Sequence, residues 1–202
     1  NTQPGVLGQI EVSAVISGGV AVAGTPFRSN PFNCDAVLAN GIILDGNGAL
    51  TSFVARGSTG VDVGVVMMSA GGFSEGFQLK RLAVTVSTNT AVSTLSNFQL
   101  WSGWTGTAVA STASIDEFGR VTFVLSDNAL FSLPPGANRT FFIRADVASS
   151  AVSGAYIRTF VSADADVLGI GASTGTNARI DRTLYDNSAG DGSDRSNATI
   201  SP

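Results

Sequence analysis

The chain has 202 residues, of which 44% are apolar and only 13% charged, with a net charge of −4. It has no histidine, a single cysteine (Cys34) and a single lysine (Lys80). That composition excludes His-based acid–base catalysis, His- or Cys-rich metal sites, an intramolecular disulfide and a basic nucleic-acid footprint. The low charge and the 24 glycines leave polarity to Ser, Thr and Asn, which is a strand-and-turn composition and not a helical one. Cys34 reads as a small buried apolar residue, with an intermolecular bridge as the alternative.

Residues 1–24 read as one apolar strand pattern interrupted by Gly18-Gly19, with Ile10, Val12, Ala14 and Ile16 on one face and Val20 and Val22 beyond. Residues 24–35, "GTPFRSNPFNCD", hold two prolines and read as a loop. Further along, the period is two. Leu82, Val84 and Val86 share a face in residues 77–87, and Phe98 and Leu100 in residues 95–103. Val121, Phe123 and Leu125 alternate with Thr122 and Val124. Phe141, Ile143 and Ala145 alternate with Phe142 and Arg144, and Ile157 and Thr159 with Tyr156, Arg158 and Phe160. Turn signals such as "RGSTG" (56–60), "DEFG" (116–119) and "PPGAN" (134–138) separate the runs at short intervals, as in a sandwich or barrel. No segment of ten residues carries a helical period; "DRTLYDN" (181–187) holds one helical turn at most. Residues 186–202 are poor in apolar matter and read as a polar tail or surface loop.

Candidate chemistry is sparse. Asp116, Glu117, Asp146, Asp164 and Asp166 lie at turns or strand ends, where carboxylates usually form turn hydrogen bonds and not acid–base pairs. Trp101 and Trp104 flank Gly103 and are candidates for stacking on sugar rings; the competing reading puts one in the core and the other over a turn. "DNSAGDGSD" (186–194) offers Asp186, Asp191 and Asp194 as oxygen ligands for a calcium ion, against the reading of a solvated acidic loop. "NRT" and "NAT" make Asn138 and Asn197 glycosylation candidates. No run approaches a membrane span. The N-terminus lacks the basic start of a signal peptide, which suits the mature form of a secreted chain.

The succession "LTSFVARGSTGVDVGVVMMSAGG", "FQLKRLAVTVS", "LSNFQLWSG", "GRVTFVLS", "LPPGANRTFFIRADV" and "IRTFVSADADV", over roughly residues 50–167, resembles a recurring β-sandwich domain of bacterial surface proteins. Those motifs are turns and strand faces and transfer no catalytic residue. The apolar N-terminal strand ahead of the sandwich is more loosely similar to subunits of TasA/camelysin-like matrix fibres and archaeal bundling pili. That resemblance implies donor-strand exchange, in which each subunit lends its N-terminal strand to the next.

The expected fold is therefore all-β: an Ig-like or jelly-roll antiparallel sandwich over residues 25–185, with a strand arm at 1–24 and a tail at 186–202. The expected function is a non-catalytic structural subunit of an extracellular filament or surface layer, with copies of itself as partner and no nucleic acid. No cofactor is expected apart from the calcium candidate. The first alternative is a carbohydrate- or surface-binding module, and the second a viral jelly-roll coat protein.

Overall fold

The computed structural model describes the backbone of residues 6–8, 11–12, 16–17, 20–21, 27–28 and 32–34. It describes residues 41–45, 51–103, 106, 108–112, 115–125, 131–183, 185 and 196–202 more fully. The chain divides into two compact units, Asn1–Leu38 and Ala39–Pro202.

In the first unit six short strands nest as one hairpin. β1 (Val6–Gly8) pairs with β6 (Phe32–Cys34), β2 (Glu11–Val12) with β5 (Phe27–Arg28), and β3 (Ile16–Ser17) with β4 (Val20–Ala21), all antiparallel. The segment expected to run as one strand thus pairs with itself, Ser17 against Val20. Its strands pair with the Pro-rich stretch that was expected to be a loop. Among the described residues, the ladder partners of these six strands all lie within this unit. Of the donor-strand candidates, Val12, Ile16 and Val20 lie on these strands; Ile10, Ala14 and Val22 lie outside the described residues.

The second unit is a two-sheet β-sandwich. One sheet has six strands, in the order β12 (Ala108–Thr112), β11 (Leu95–Ser102), β15 (Asn138–Val147), β9 (Val61–Ser69), β7 (Gly41–Asp45) and β18 (Arg179–Asp181). The other has seven and is built on β10 (Phe77–Thr88), whose length lets it pair with two strands on each side. β13 (Arg120–Val124) and β14 (Ser132–Leu133) lie on one flank; β16 (Tyr156–Phe160) and β17 (Val167–Gly171) lie on the other. Beyond β16 come β19 (Ser196–Ser201) and the edge strand β8 (Thr51–Ala55). The pairing is antiparallel except for β18 on β7 and β8 on β19.

The period-two reading holds along β10, β11, β13, β15 and β16, whereas the one at residues 8–17 falls largely outside the described residues. Leu82, Val84, Val86, Phe98, Leu100, Val121, Phe123, Phe141, Ile143 and Ile157 all enter one core between the sheets, while Thr122 and Val124 face out. The tail differs from expectation. Residues 196–201 form an interior strand of the seven-stranded sheet, because Ala198 and Ile200 alternate with Asn197 and Thr199 and enter the core. A six-residue strand with two modest apolar residues carries too weak a period to stand out beside Gly, Ser and Asp. Of residues 181–187, expected to hold one helical turn at most, the described part is the end of β18 and a single turn with Tyr185 N–H on the Arg182 carbonyl at 2.9 Å.

Two local features fix the geometry between the sheets. Thr159 of β16 is buried, and its hydroxyl donates to the Val63 carbonyl of β9 across the sandwich at 3.0 Å. Gly64 makes room for it: a Cβ there would stand 2.0 Å from Thr159 Oγ1. In the β12–β13 connection, Asp116 Oδ1 accepts the N–H groups of Phe118 and Arg120 at 2.9 and 2.8 Å. Gly119 takes the positive φ of 75° that closes this turn.

Candidate functional site

Of the turn and strand-end carboxylates singled out from sequence, Asp116, Asp146, Asp164 and Asp166 are committed to structure. Asp146 Oδ1 accepts Gly60 N–H at 2.7 Å and its Oδ2 accepts Asn97 Nδ2 at 3.2 Å, holding Asn97 at a left-handed φ of 51°. Asp164 pairs with Arg182 Nε at 2.7 Å. Asp166 is buried; its Oδ2 accepts Ser162 N–H, Ser162 Oγ and Ala163 N–H, and its Oδ1 meets Arg120. Buried Glu75 accepts the N–H groups of Ser173 and Thr174 and so caps that turn. Among the described residues no cluster of metal-ligating side chains occurs. Asp186, Asp191 and Asp194 lie outside the described residues.

Trp101 stands on the outer face of the six-stranded sheet, half-buried. Its Nε1 donates to Gln99 Oε1 at 2.9 Å, and the Arg144 guanidinium lies 4.1 Å from its ring centroid. Arg144 Nε in turn donates to Asp62 Oδ1 at 2.7 Å. Phe142, opposite Trp101 in the register, and Val65, opposite Phe142, alternate with core-facing residues and so share this outer face. They are nonetheless only 2% and 7% exposed. Trp101 therefore belongs to a covered cluster whose ring face already carries a cation, which is a poor platform for a sugar. Trp104 lies outside the described residues.

The open aromatic surface is on the other sheet, at residues the sequence reading did not select. Phe53, at the centre of β8, is 79% exposed. It registers with Thr199 of β19, and Thr199 registers with Tyr156 of β16, so Phe53 and Tyr156 flank a threonine on one outer row. Two strand spacings separate their backbones by about 10 Å. The Arg158 guanidinium stacks on Tyr156 at 4.5 Å. The Tyr156 backbone is pinned on both sides: its N–H donates to Asn89 Oδ1 at 2.8 Å and its carbonyl accepts Thr88 Oγ1 at 2.6 Å. The adjoining loops, joined where Val152 N–H donates to Thr90 Oγ1, carry exposed Val92 and Val152. A signal was present in the strand alternation around Tyr156, which placed it outward. Phe53 had none, since "TSFVARG" gives only one clear period of alternation.

The two sequons differ in setting. Asn138 is exposed at the first position of β15, whereas Asn197 sits in an interior strand between β16 and β8 with its Oδ1 enclosed. No helix among the described residues is long and apolar enough to cross a membrane.

No family model matches the chain, and no curated protein does. Among solved structures, the chain is similar to chains of cohesin–dockerin complexes. One is in the CaDoc0917–CaCohA2 complex, at 11% identity and a TM-score of 0.43, covering 79% of this chain and 99% of that one. A second is in the type I complex of Coh-OlpA with Doc918 from Clostridium thermocellum, at 8% identity and a TM-score of 0.40, covering 80% and 99%. A third is in the complex of the third cohesin ScaC with the ScaB dockerin from Acetivibrio cellulolyticus, at 8% identity and a TM-score of 0.36, covering 80% and 99%. Likeness at these scores is to an arrangement of strands, and no residue role passes through it to this chain.

Proposed function

We propose that this chain is a non-catalytic, extracellular surface-binding module whose partner is a protein, docked on the outer face of the seven-stranded sheet. The observation that carries this reading is the row Phe53–Thr199–Tyr156, in which exposed Phe53 stands beside half-buried Tyr156 with its stacked arginine on a hydrogen-bonded strand end. Aromatic and Arg side chains held in place are the usual anchors of protein–protein interfaces. The Arg158 guanidinium on the Tyr156 ring leaves Phe53 as the open ring of the row, and a glycan array separates a sugar from a protein there. The commitment of the carboxylates to turns and ion pairs supports a binding role over catalysis.

The test compares the full chain with a Phe53→Ser/Tyr156→Ala double variant for retention on intact cell envelopes and on a glycan array. Both positions are on the outer face, so the melting temperature should hold while envelope retention weakens about 10-fold or more. Retention that is unchanged in the variant, or glycan binding that survives it, overturns the reading.

The filament reading by strand exchange is less well supported. Residues 6–22 would first have to release the β2–β5 and β3–β4 pairs that they make within their own unit. Deletion of residues 1–24 decides it: assembly that persists without them excludes exchange.

A further inference from the structure

We infer that β8 is a homodimerisation edge, through which a second copy of this chain adds its own β8 antiparallel and continues the seven-stranded sheet. The inference goes beyond the binding reading and does not rest on it. Among the described residues β8 pairs on one side only, with β19, in an unbroken register from Asn197↔Thr51 to Ser201↔Ala55.

Edge strands are normally protected by charge, proline, bulges or brevity. The other described edges show such devices or are covered: β14 is two residues long, and β17 is met along its flank by residues 176–178, with Gly171 N–H on the Thr176 carbonyl and Ala178 N–H on the Gly169 carbonyl, both at 2.8 Å. β18 is three residues long and carries Arg179 and Asp181. β13 carries Arg120, and the β12 ladder shifts register beside Leu100/Trp101. β8 has none of them. Its sequence, "TSFVA", is uncharged, and its central side chain is the exposed Phe53.

The strand is also complementary to itself. Antiparallel pairing centred on Phe53 sets Phe53 directly against the Phe53 of the second copy and Thr51 against Ala55. No like charges meet, and the two phenyl rings cover one another as a cross-strand pair. Val54 remains in its own core. The two-fold axis of such a pair is perpendicular to the sheet, so the contact is isologous and closes at two copies. Both outer faces then point the same way, which places the two Tyr156–Phe53 rows side by side on one continuous surface.

Sedimentation of the full chain from micromolar to millimolar concentration tests the inference without any partner present. The expected result is a reversible monomer–dimer equilibrium that F53K and F53E each weaken by more than 10-fold, because Lys would then face Lys, or Glu face Glu. An equimolar mixture of the two variants is expected to regain the dimer, since only the pairing centred on this residue sets Lys against Glu. Unchanged melting temperatures of both variants show that the fold is intact. A wild-type chain that stays monomeric throughout, an F53K chain that dimerises like wild type, or a mixture that fails to regain the dimer overturns the inference.

Discussion

Replacing Gly64 by alanine tests the central packing argument, that the two sheets are held in register by the Thr159 hydroxyl on the Val63 carbonyl. The added Cβ would stand 2.0 Å from Thr159 Oγ1 and 3.0 Å from both Thr159 Cβ and Ile143 Cδ1. The Ile143 methyl can give by a few tenths of an ångström. The threonine cannot move without leaving its hydrogen bond, and at 1% exposure no water replaces it. Overpacking of this kind costs about 1–3 kcal/mol. The lower backbone entropy of alanine in the unfolded chain returns about 0.5 kcal/mol. Thr159→Ala should cost a similar 1–3 kcal/mol or so through the lost buried hydrogen bond. The double variant carries the decisive information. Without the threonine the alanine Cβ has room, so Gly64→Ala should cost little on a Thr159→Ala background. Coupling between the two substitutions should be about 1–2 kcal/mol. For a unit of this size that is a few degrees in Tm, at roughly 2–4 °C per kcal/mol. Urea unfolding of the four proteins measures it. Effects that add to within about 0.5 kcal/mol would refute the inter-sheet contact as described.

Three further outcomes follow from other sites. Asp166→Ala should destabilise by about 3 kcal/mol in urea unfolding, because it strips Ser162 and Ala163 of their acceptor and leaves Arg120 without its carboxylate; a loss below about 1 kcal/mol would make the cluster ornamental. The Thr183 hydroxyl, and then its backbone N–H, hold the Asp181 carboxyl below the usual carboxylate range. A depressed folded-state pKa gives stability that is present above the ordinary value and lost as pH falls through the folded one, so Thr183→Ala should raise the Asp181 pKa and lessen that acid-side loss, as read by carboxyl NMR titration; an unmoved titration contradicts it. Expressed in a host that N-glycosylates, the chain should carry sugar at exposed Asn138 and none at Asn197, and a glycopeptide containing Asn197 would reverse that assignment.

How much of this was legible in the sequence depends on what each segment exposes to water on each face. β11, β13 and β16 bury one face and wet the other, and β10 and β15 do so apart from the covered outward Ala83 and Phe142, so their side chains alternate enough for the inward residues to be read. β7, "GIILD", is apolar on both faces over four residues, and β19 and β18 are too short or too polar to show a period. Their places come from long-range pairing: β19 is set between β16 and β8, far from it in sequence, by ladder bonds that leave no local trace. The fold of residues 6–34 illustrates the same limit. Apolar alternation marked the first half as strand, but the prolines of the second half pointed to a loop, and only the pairing shows that the two halves form one hairpin.

The candidate site inverts the same logic. Aromatic residues draw attention in a sequence when they cluster, as Trp101 and Trp104 do, but a cluster is also what a well-packed sheet face needs. Trp101 is accordingly tied up by Gln99 and Arg144 above Phe142 and Val65. Phe53 and Tyr156 are some hundred residues apart in the chain and come together only because the parallel β8–β19 pair lies beside antiparallel β16. Exposure of a large aromatic side chain costs solvation free energy in the isolated molecule, about 2 kcal/mol against full burial. A rigid strand that keeps Phe53 in water at that cost is better explained by something that covers it, and both a docked partner and a second β8 would do so. The two are separable because they make different demands on the same residue. A partner needs an apolar ring next to Tyr156, and F53K and F53E destroy that whether alone or mixed. The edge pair needs only complementarity across the two-fold axis, which the mixture restores. Recovered dimer with lost envelope retention assigns both roles to Phe53, whereas loss of retention together with a monomeric wild-type chain leaves it the partner's contact alone.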